Sequence, residues 1–188
     1  MNSFAISAAQ ILLTTIILPL WMLAGLADYL CHRATNIENT SGTPESVLHL
    51  IQFALVGLPI TLALFLDINA GYFLFAIVVI VLHHAVAAMD LVFANPRRHI
   101  APREQMIHSF LEILPITALM LLAVLYWPQF LALFGAGTQA PIFAPHSRFL
   151  PMNFVITILA AAFLLNLLPY LEELYRCVAK TNRTGKYS

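Results

Sequence analysis

The sequence predicts an all-α integral membrane protein of about five transmembrane helices, four of them bundled around a polar, metal-type site near the cytoplasmic side. Three observations predict it. The 188 residues are 61% hydrophobic and 10% charged, with a mean hydropathy of +0.85, which excludes an ordinary soluble domain. Five apolar runs approach the roughly 20 residues that a helix needs to cross the hydrocarbon core. Ionisable residues gather at one end of these runs, where burial in lipid is costly unless they are paired or liganded. The chain reads as one transmembrane domain over 1–188, with helices near 4–31, 45–66, 71–94, 104–127 and 151–174.

The first span carries no charge over 4–27 and closes on Trp21, Asp28, Tyr29 and His32. It is read as a retained span and not a cleaved leader, because no Lys or Arg precedes it and its apolar run is longer than a signal-peptide core. A polar loop follows, and Thr43-Pro44-Glu45 reads as a helix start: Thr43 as N-cap, Pro44 in the first turn, Glu45 at the positive end of the dipole. Asp67 to Gly71 is a short outer turn between antiparallel neighbours. The third span stops near Asn95-Pro96. Pro102 and Glu104 open the fourth, which ends at the interfacial Trp127-Pro128. An outer loop with Gly135, Gly137, Pro141 and Pro145 leads to the fifth span, and its start at 129–134 is expected to lie along the interface. A short amphipathic tail with Glu172, Glu173 and Arg176 is expected after Leu171. The fifth span, with Asn153, Asn166 and Pro169, is expected to pack outside the four-helix site.

Charge sets the orientation. The side holding the 33–46 loop, the 95–105 loop and the C-terminal tail carries Arg33, Arg97, Arg98, Arg103, Arg176, Lys180, Arg183 and Lys186, and the other side carries Arg148 alone. The positive-inside rule makes the first side cytoplasmic, with the N-terminus outside and the C-terminus inside. Zero net charge gives no reason to expect nucleic acid as a partner. Cys31 and Cys177 both fall on the reducing side, so no disulfide is expected.

The polar residues follow helical spacing. Asp28 and His32, Glu45 and His49, Glu104 and His108, and His108 and Glu112 are each four apart, so each pair shares a helix face. His83 and Asp90 are two turns apart on one face, with His84 about 100° away. Gln52 shares the face of Glu45 and His49. Four helices thus each present a carboxylate and an imidazole. Two-metal bundle proteins use this logic, and such ligands suit iron, manganese or zinc. The candidate ligands are Asp28, His32, Glu45, His49, His83, Asp90, Glu104, His108 and Glu112. His84 is the candidate proton relay and Glu112 a candidate catalytic base. A metal-free ionic network with Arg97, Arg98 and Arg103 explains the same residues, and a haem held by facing histidines is a further reading. His32 and His99 lie near loops, where such residues are more often surface than ligand. His146, on the outer side, reads as structural.

The paired His83-His84 and the histidine-rich cytoplasmic end give the chain a general resemblance to membrane-bound di-iron hydroxylases and desaturases. Their closely spaced His-x-x-His-His boxes are missing here, and carboxylates share the ligand work. The mixed ligand set is similar to soluble ferritin-like di-iron proteins, without their Glu-x-x-His pattern. The stretch from His83 to Glu112, with Arg97-Arg98-His99-Ile100-Ala101-Pro102-Arg103-Glu104, also resembles small uncharacterised bacterial inner-membrane proteins. The last resemblance carries no activity; the di-metal ligand set and the resemblance to the di-iron families imply a two-iron oxidoreductase acting on an apolar or lipid substrate that enters from the bilayer. Electrons would come from a partner protein, since no flavin or nicotinamide motif is present. Arg97, Arg98 and Arg103 are expected to hold an anionic headgroup or that partner. The alternatives are a zinc-dependent hydrolase of lipid amides or esters, a haem-binding or accessory subunit of a larger membrane complex, and a metal carrier.

Overall fold

The computed structural model describes residues 3–136, 143–146 and 150–184. Gly137, Pro141, Arg148 and Lys186, which entered the loop and charge readings, lie outside the described residues. Five helices are long and apolar enough to cross a membrane: α1 (Ala8–Thr35), α2 (Thr43–Phe65), α3 (Ala70–Ala94), α4 (Pro102–Leu125) and, after the short helix α5 (Trp127–Ala132), α6 (Met152–Arg183). The helix of α1 begins further upstream, at Ser3. Among the described residues the only β-pairing is one isolated bridge between Leu66 and Pro145.

Proline chemistry shapes two of these helices in the same way. A π-helical turn, Leu13–Ile17, stands just before Pro19, and a second, Phe163–Leu167, just before Pro169. Proline lacks the N–H and crowds the carbonyl four residues back. The wider turn takes up that crowding, with the Leu18 N–H donating to the Leu13 carbonyl and the Leu168 N–H to that of Phe163. Pro59 in α2 and Pro115 in α4 lie inside their helices.

The connections at the polar end are tight. α1 stops at Asn36, whose φ of 52° is left-handed and whose N–H closes on the Arg33 and His32 carbonyls. Asparagine tolerates this conformation at a helix end. Gly42, at φ 66°, is the residue that precedes α2, so Thr43 is the first helical residue and not the expected N-cap. Its hydroxyl is used elsewhere: Oγ1 lies 3.2 Å from Thr181 Oγ1 of α6. At the other end Asn69 caps α3 by accepting from the Tyr72 N–H at 3.1 Å. There His146 Nδ1 lies 3.1 Å from Asp67 Oδ1 and Nε2 3.1 Å from the Ala63 carbonyl, a structural role as expected.

The fifth span departs from expectation. It continues as helix to Arg183, well past the expected end at 174, and it packs against α1 and α2 rather than outside the bundle. The reason is a buried stripe at helical spacing: Asn166, Tyr170, Glu173 and Cys177. Asn166 Nδ2 donates to the Met22 carbonyl at 2.9 Å. Gly25 makes this approach possible, because a Cβ there would collide with Asn166 Nδ2. Gly25→Ala is therefore expected to lower stability by about 1–3 kcal/mol, the usual cost of overpacking, read as a drop in thermal unfolding temperature in detergent. An unchanged melt would mean that α6 does not press on α1 at this point.

Apolar side chains make up the far half of the bundle. One cluster centres on Trp21, Val56, Leu64, Leu114 and Ile158, a second on Ile68, Tyr72, Phe73 and Ala76. The other half is polar. The C-terminal ends of α1, α3 and α6 meet the N-terminal ends of α2 and α4 there.

Candidate metal centre

Two histidines form the middle of the polar half. His32 of α1 and His49 of α2 stack with ring centroids 4.3 Å apart and planes within 9°. Both are buried. One carboxylate holds both: Glu173 of α6 places Oε2 3.1 Å from His32 Nδ1 and Oε1 2.8 Å from His49 Nδ1. A carboxylate only accepts, so each Nδ1 carries a proton, and in the neutral form of each ring Nε2 presents a lone pair. Neither Nε2 has a hydrogen-bond partner among the described residues. A carboxylate behind the imidazole, fixing tautomer and ring orientation, is how metal-binding histidines are commonly held.

Carboxylates surround the two free nitrogens. His32 Nε2 lies 3.4 Å from Asp28 Oδ1 and 3.3 Å from Glu104 Oε1. His49 Nε2 lies 3.3 Å from Asp90 Oδ2 and 3.8 Å from Glu45 Oε1. His108 Nε2 is 2.9 Å from Asp28 Oδ1. Asp28, His32, Glu104 and His108 each offer one ligand atom, all within 4.8 Å of one another, and so do His32, Glu45 and His49. Such spacing suits ligands around an ion with bonds of about 2.0–2.2 Å. Since Glu173 occupies His32 Nδ1, the one free nitrogen of His32 serves either group but not both. Asp90 can complete the second set beside His49 and Glu45.

Arg98, from the turn between α3 and α4, enters the same cluster. It is buried, donating from Nε to both Glu45 oxygens at 2.9 and 3.1 Å and from Nη2 to Glu45 Oε1 at 2.5 Å. Nη2 also stands 2.5 Å from Glu104 Oε1. Burial alone lowers the pKa of a guanidinium, but these two carboxylates more than reverse the effect and hold Arg98 above its ordinary value. Arg98 therefore does not reach a headgroup or a partner from its buried position. Arg97, the neighbouring arginine, is exposed: its guanidinium lies 3.7 Å from the Phe93 ring centroid, and Nη1 donates to the Phe93 carbonyl at 2.5 Å.

The cluster carries more carboxylates than cationic side chains. Asp28, Glu45, Asp90, Glu104 and Glu173 are buried, and Arg98 supplies one positive charge among them. With neutral imidazoles, four negative charges remain, which two divalent cations would cancel. Protons on the histidines can offset only part of it, since His32, His49 and His108 are three. Isolated charges at this depth carry a penalty of several kcal/mol each.

Beside the cluster lies a small polar chamber of about 40 Å³ lined by His83, Gln52, Asp90, His49, Glu112 and Tyr170, among others, room for a water or two. Gln52 Nε2 donates to Asp90 Oδ2 at 3.2 Å, and the Tyr170 hydroxyl lies 3.2 Å from the Gly25 carbonyl and 3.3 Å from Asp28 Oδ2. His83 Nδ1 is 3.3 Å from the Gln52 carbonyl, and its Nε2 is buried with no hydrogen-bond partner among the described residues.

Of the sequence-predicted ligands, Asp28, His32, Glu45, His49, Asp90, Glu104 and His108 come together. His83 and Glu112 line the chamber instead. The helix explains both: His83 is seven residues, about 10 Å, deeper than Asp90, and Glu112 is rotated about 80° from Glu104. His84, the expected relay, is half-buried, with Nδ1 2.8 Å from the Ile80 carbonyl of its own helix, and it does not line the chamber. Glu173, Arg98 and Tyr170 were not among the expected ligands. The stripe at 166, 170, 173 and 177 was the available signal for two of them. Comparison with protein-family models, with curated proteins and with solved structures finds no match for this chain.

Proposed function

We propose that this protein holds two transition-metal ions, iron foremost, in the polar half of its bundle, and that it oxidises an apolar or lipid substrate. The observation that carries the reading is the stacked pair His32 and His49, both held at Nδ1 by Glu173 and both turning Nε2 toward four carboxylates at 3.3–3.8 Å. One ion would take His32, Asp28, Glu104 and His108, the other His49, Glu45 and Asp90. Di-iron and di-manganese bundle proteins use four carboxylates and two imidazoles from facing helices; here four carboxylates and three imidazoles converge, one imidazole more. Bound iron would supply oxygen binding and redox capacity. Hydroxylation balances as follows: O₂, two electrons and two protons are consumed, one oxygen enters the C–H bond as OH, and the other leaves as water. The electrons come from an external redox protein. The polar chamber beside His49 is a route for protons, with His83 and Glu112 on its wall in place of His84.

In this reading Arg98 stays in place as a permanent counter-ion, keeping Glu45 and Glu104 beside the ions. The stacked rings, 4.3 Å apart, leave no room for a porphyrin between them. The distribution of Arg and Lys supports an orientation with the polar end and the C-terminus in the cytoplasm; the membrane would be a bacterial inner membrane.

The test is metal content by mass spectrometry on detergent-purified protein, with an absorption spectrum and a Mössbauer spectrum of the same sample. About two metal ions per chain, mainly iron, and no Soret band is the expected result. Zinc in their place would move the reaction to hydrolysis of a lipid ester or amide. Absence of any metal after purification without chelators would overturn the reading and leave an ionic network. His146→Ala, at the far end, is expected to leave the content unchanged.

A further inference from the structure

An apolar slot lies in the far half of the bundle, directly below the polar cluster. It has a volume of about 240 Å³ and is walled by α1, α2, α3 and α4. Along α1 it follows the helix from Gln10 to Trp21, and along α4 from Leu114 to Leu125. Eleven residues of helix are about 16 Å, so the space is long and narrow.

Its origin is in the helices themselves. The π turn at Leu13–Ile17, Pro59 and Pro115 all line it. Each is a helix distortion of known cause, and together they act on three walls of one slot. The polar groups of the walls are already engaged. Thr14 Oγ1 donates to the Gln10 carbonyl at 2.8 Å, and the Tyr72 hydroxyl donates to the Pro59 carbonyl at 3.2 Å. An occupant therefore meets no unmet hydrogen-bonding demand along the shaft. Polarity rises toward one end, where Gln10, Thr14, Tyr126 and His146 lie. The opposite end is closed by the buried Trp21, which also lines the polar chamber.

We propose that this slot binds one linear apolar lipid chain end-on, with its terminal carbons against Trp21 and its polar end beside Gln10 and His146. The shape selects a single unbranched chain over a ring system, and the polarity gradient sets its direction. The carbons nearest the metal centre are then those at the chain end, so oxidation would fall there and not beside the headgroup. That consequence rests on the proposed function; the binding itself does not.

The chain has two tryptophans, Trp21 and Trp127, so Trp127→Phe leaves Trp21 as a single reporter. The probe is a fatty acid carrying bromine on its terminal carbon, added to the protein in phosphatidylcholine vesicles, because bromine quenches indole fluorescence on contact. Saturable quenching of Trp21 is expected. It should be lost when Ala118→Phe fills the slot, with Ala63→Leu as a second filling variant should the first not fold. Quenching that does not saturate, or that is equal in a folded filled variant, would be bilayer collision and would overturn the site. Equal quenching by the same acid brominated at mid-chain would overturn the end-on placement. A vesicle phospholipid with terminally brominated chains that quenches in the same variant-sensitive way would support the slot and identify bilayer lipid as the source. Metal content of the same samples separates the two readings. Saturable quenching in a protein that carries no metal sustains the slot and removes the oxidation. A full metal complement without saturable quenching removes only the slot.

Discussion

If the centre holds two ions as proposed, Glu173→Gln is expected to reduce metal content from about two per chain to about one. A glutamine side chain is nearly the same size, so the bundle survives, but its two ends differ. The amide oxygen accepts from one Nδ1–H as before. The amide nitrogen is a donor and faces the other Nδ1. That histidine must turn over its tautomer, carrying its proton on Nε2, where the metal should bind. Loss of a group that orients a ligand costs roughly 10- to 100-fold in affinity. The measurement is a titration of the chelator-stripped variant with Fe(II) or Mn(II), read as ions bound per chain. Two sites of unchanged affinity would remove Glu173 from any role in metal binding, and loss of folding would be seen in the same sample by its melting curve.

Arg98→Met is expected to make folding depend on metal. The guanidinium neutralises Glu45 and Glu104 at close range in a buried position. Removing one partner of a buried ion pair costs about 3–5 kcal/mol, because the other charges remain. Methionine keeps the apolar stem and removes the guanidinium, so charge is lost together with the volume of the head group, and only the charge can be restored by an ion. A divalent ion beside the same carboxylates can replace the missing charge, and ligands that bind only the folded state raise stability by mass action, about 2.7 kcal/mol at 100 times Kd. Thermal unfolding in detergent, with and without Mn(II), reads this directly. The variant should melt well below the parent when stripped and recover most of the difference when loaded. An identical deficit in both conditions would show that Arg98 supports the turn between α3 and α4 and not the charge balance of the centre.

The five spans were legible because hydropathy and length alone dictate them, and most of the candidate ligands were legible because four-residue spacing fixes a helix face whatever surrounds it. The limits of that logic are visible at particular residues. Periodicity placed His83 and Asp90 on one stripe correctly, but a stripe does not report depth, and two turns separate them. It placed Glu112 with His108, but each step of four residues drifts by 40°, so a third member leaves the face. Arg97 and Arg98 are chemically equal neighbours, and only the path of the turn after α3 decides that one is buried with Glu45 and the other lies over Phe93. Glu173 was overlooked because Glu172-Glu173 followed by Arg176 reads as a solvated tail. Glu172 does have that role, pairing with Arg33 at 2.6 Å and Arg176 at 3.1 Å, whereas Glu173 is turned inward by one residue of helix. Its partners lie on α1 and α2, more than a hundred residues earlier in sequence, beyond the reach of any local pattern.

That long separation bears on biogenesis. The ribosome delivers α1 and α2 to the membrane early, each with a carboxylate–histidine pair at its end, and α6 last. Until α6 arrives, nothing fixes the tautomers of His32 and His49, and any ion captured by the earlier helices meets a half-built cage with rings free to turn. In the proposed two-metal reading, loading is then a late event that follows complete insertion. A nascent chain stalled before Glu173 emerges would be open to scavenging of the wrong ion and to quality-control proteolysis.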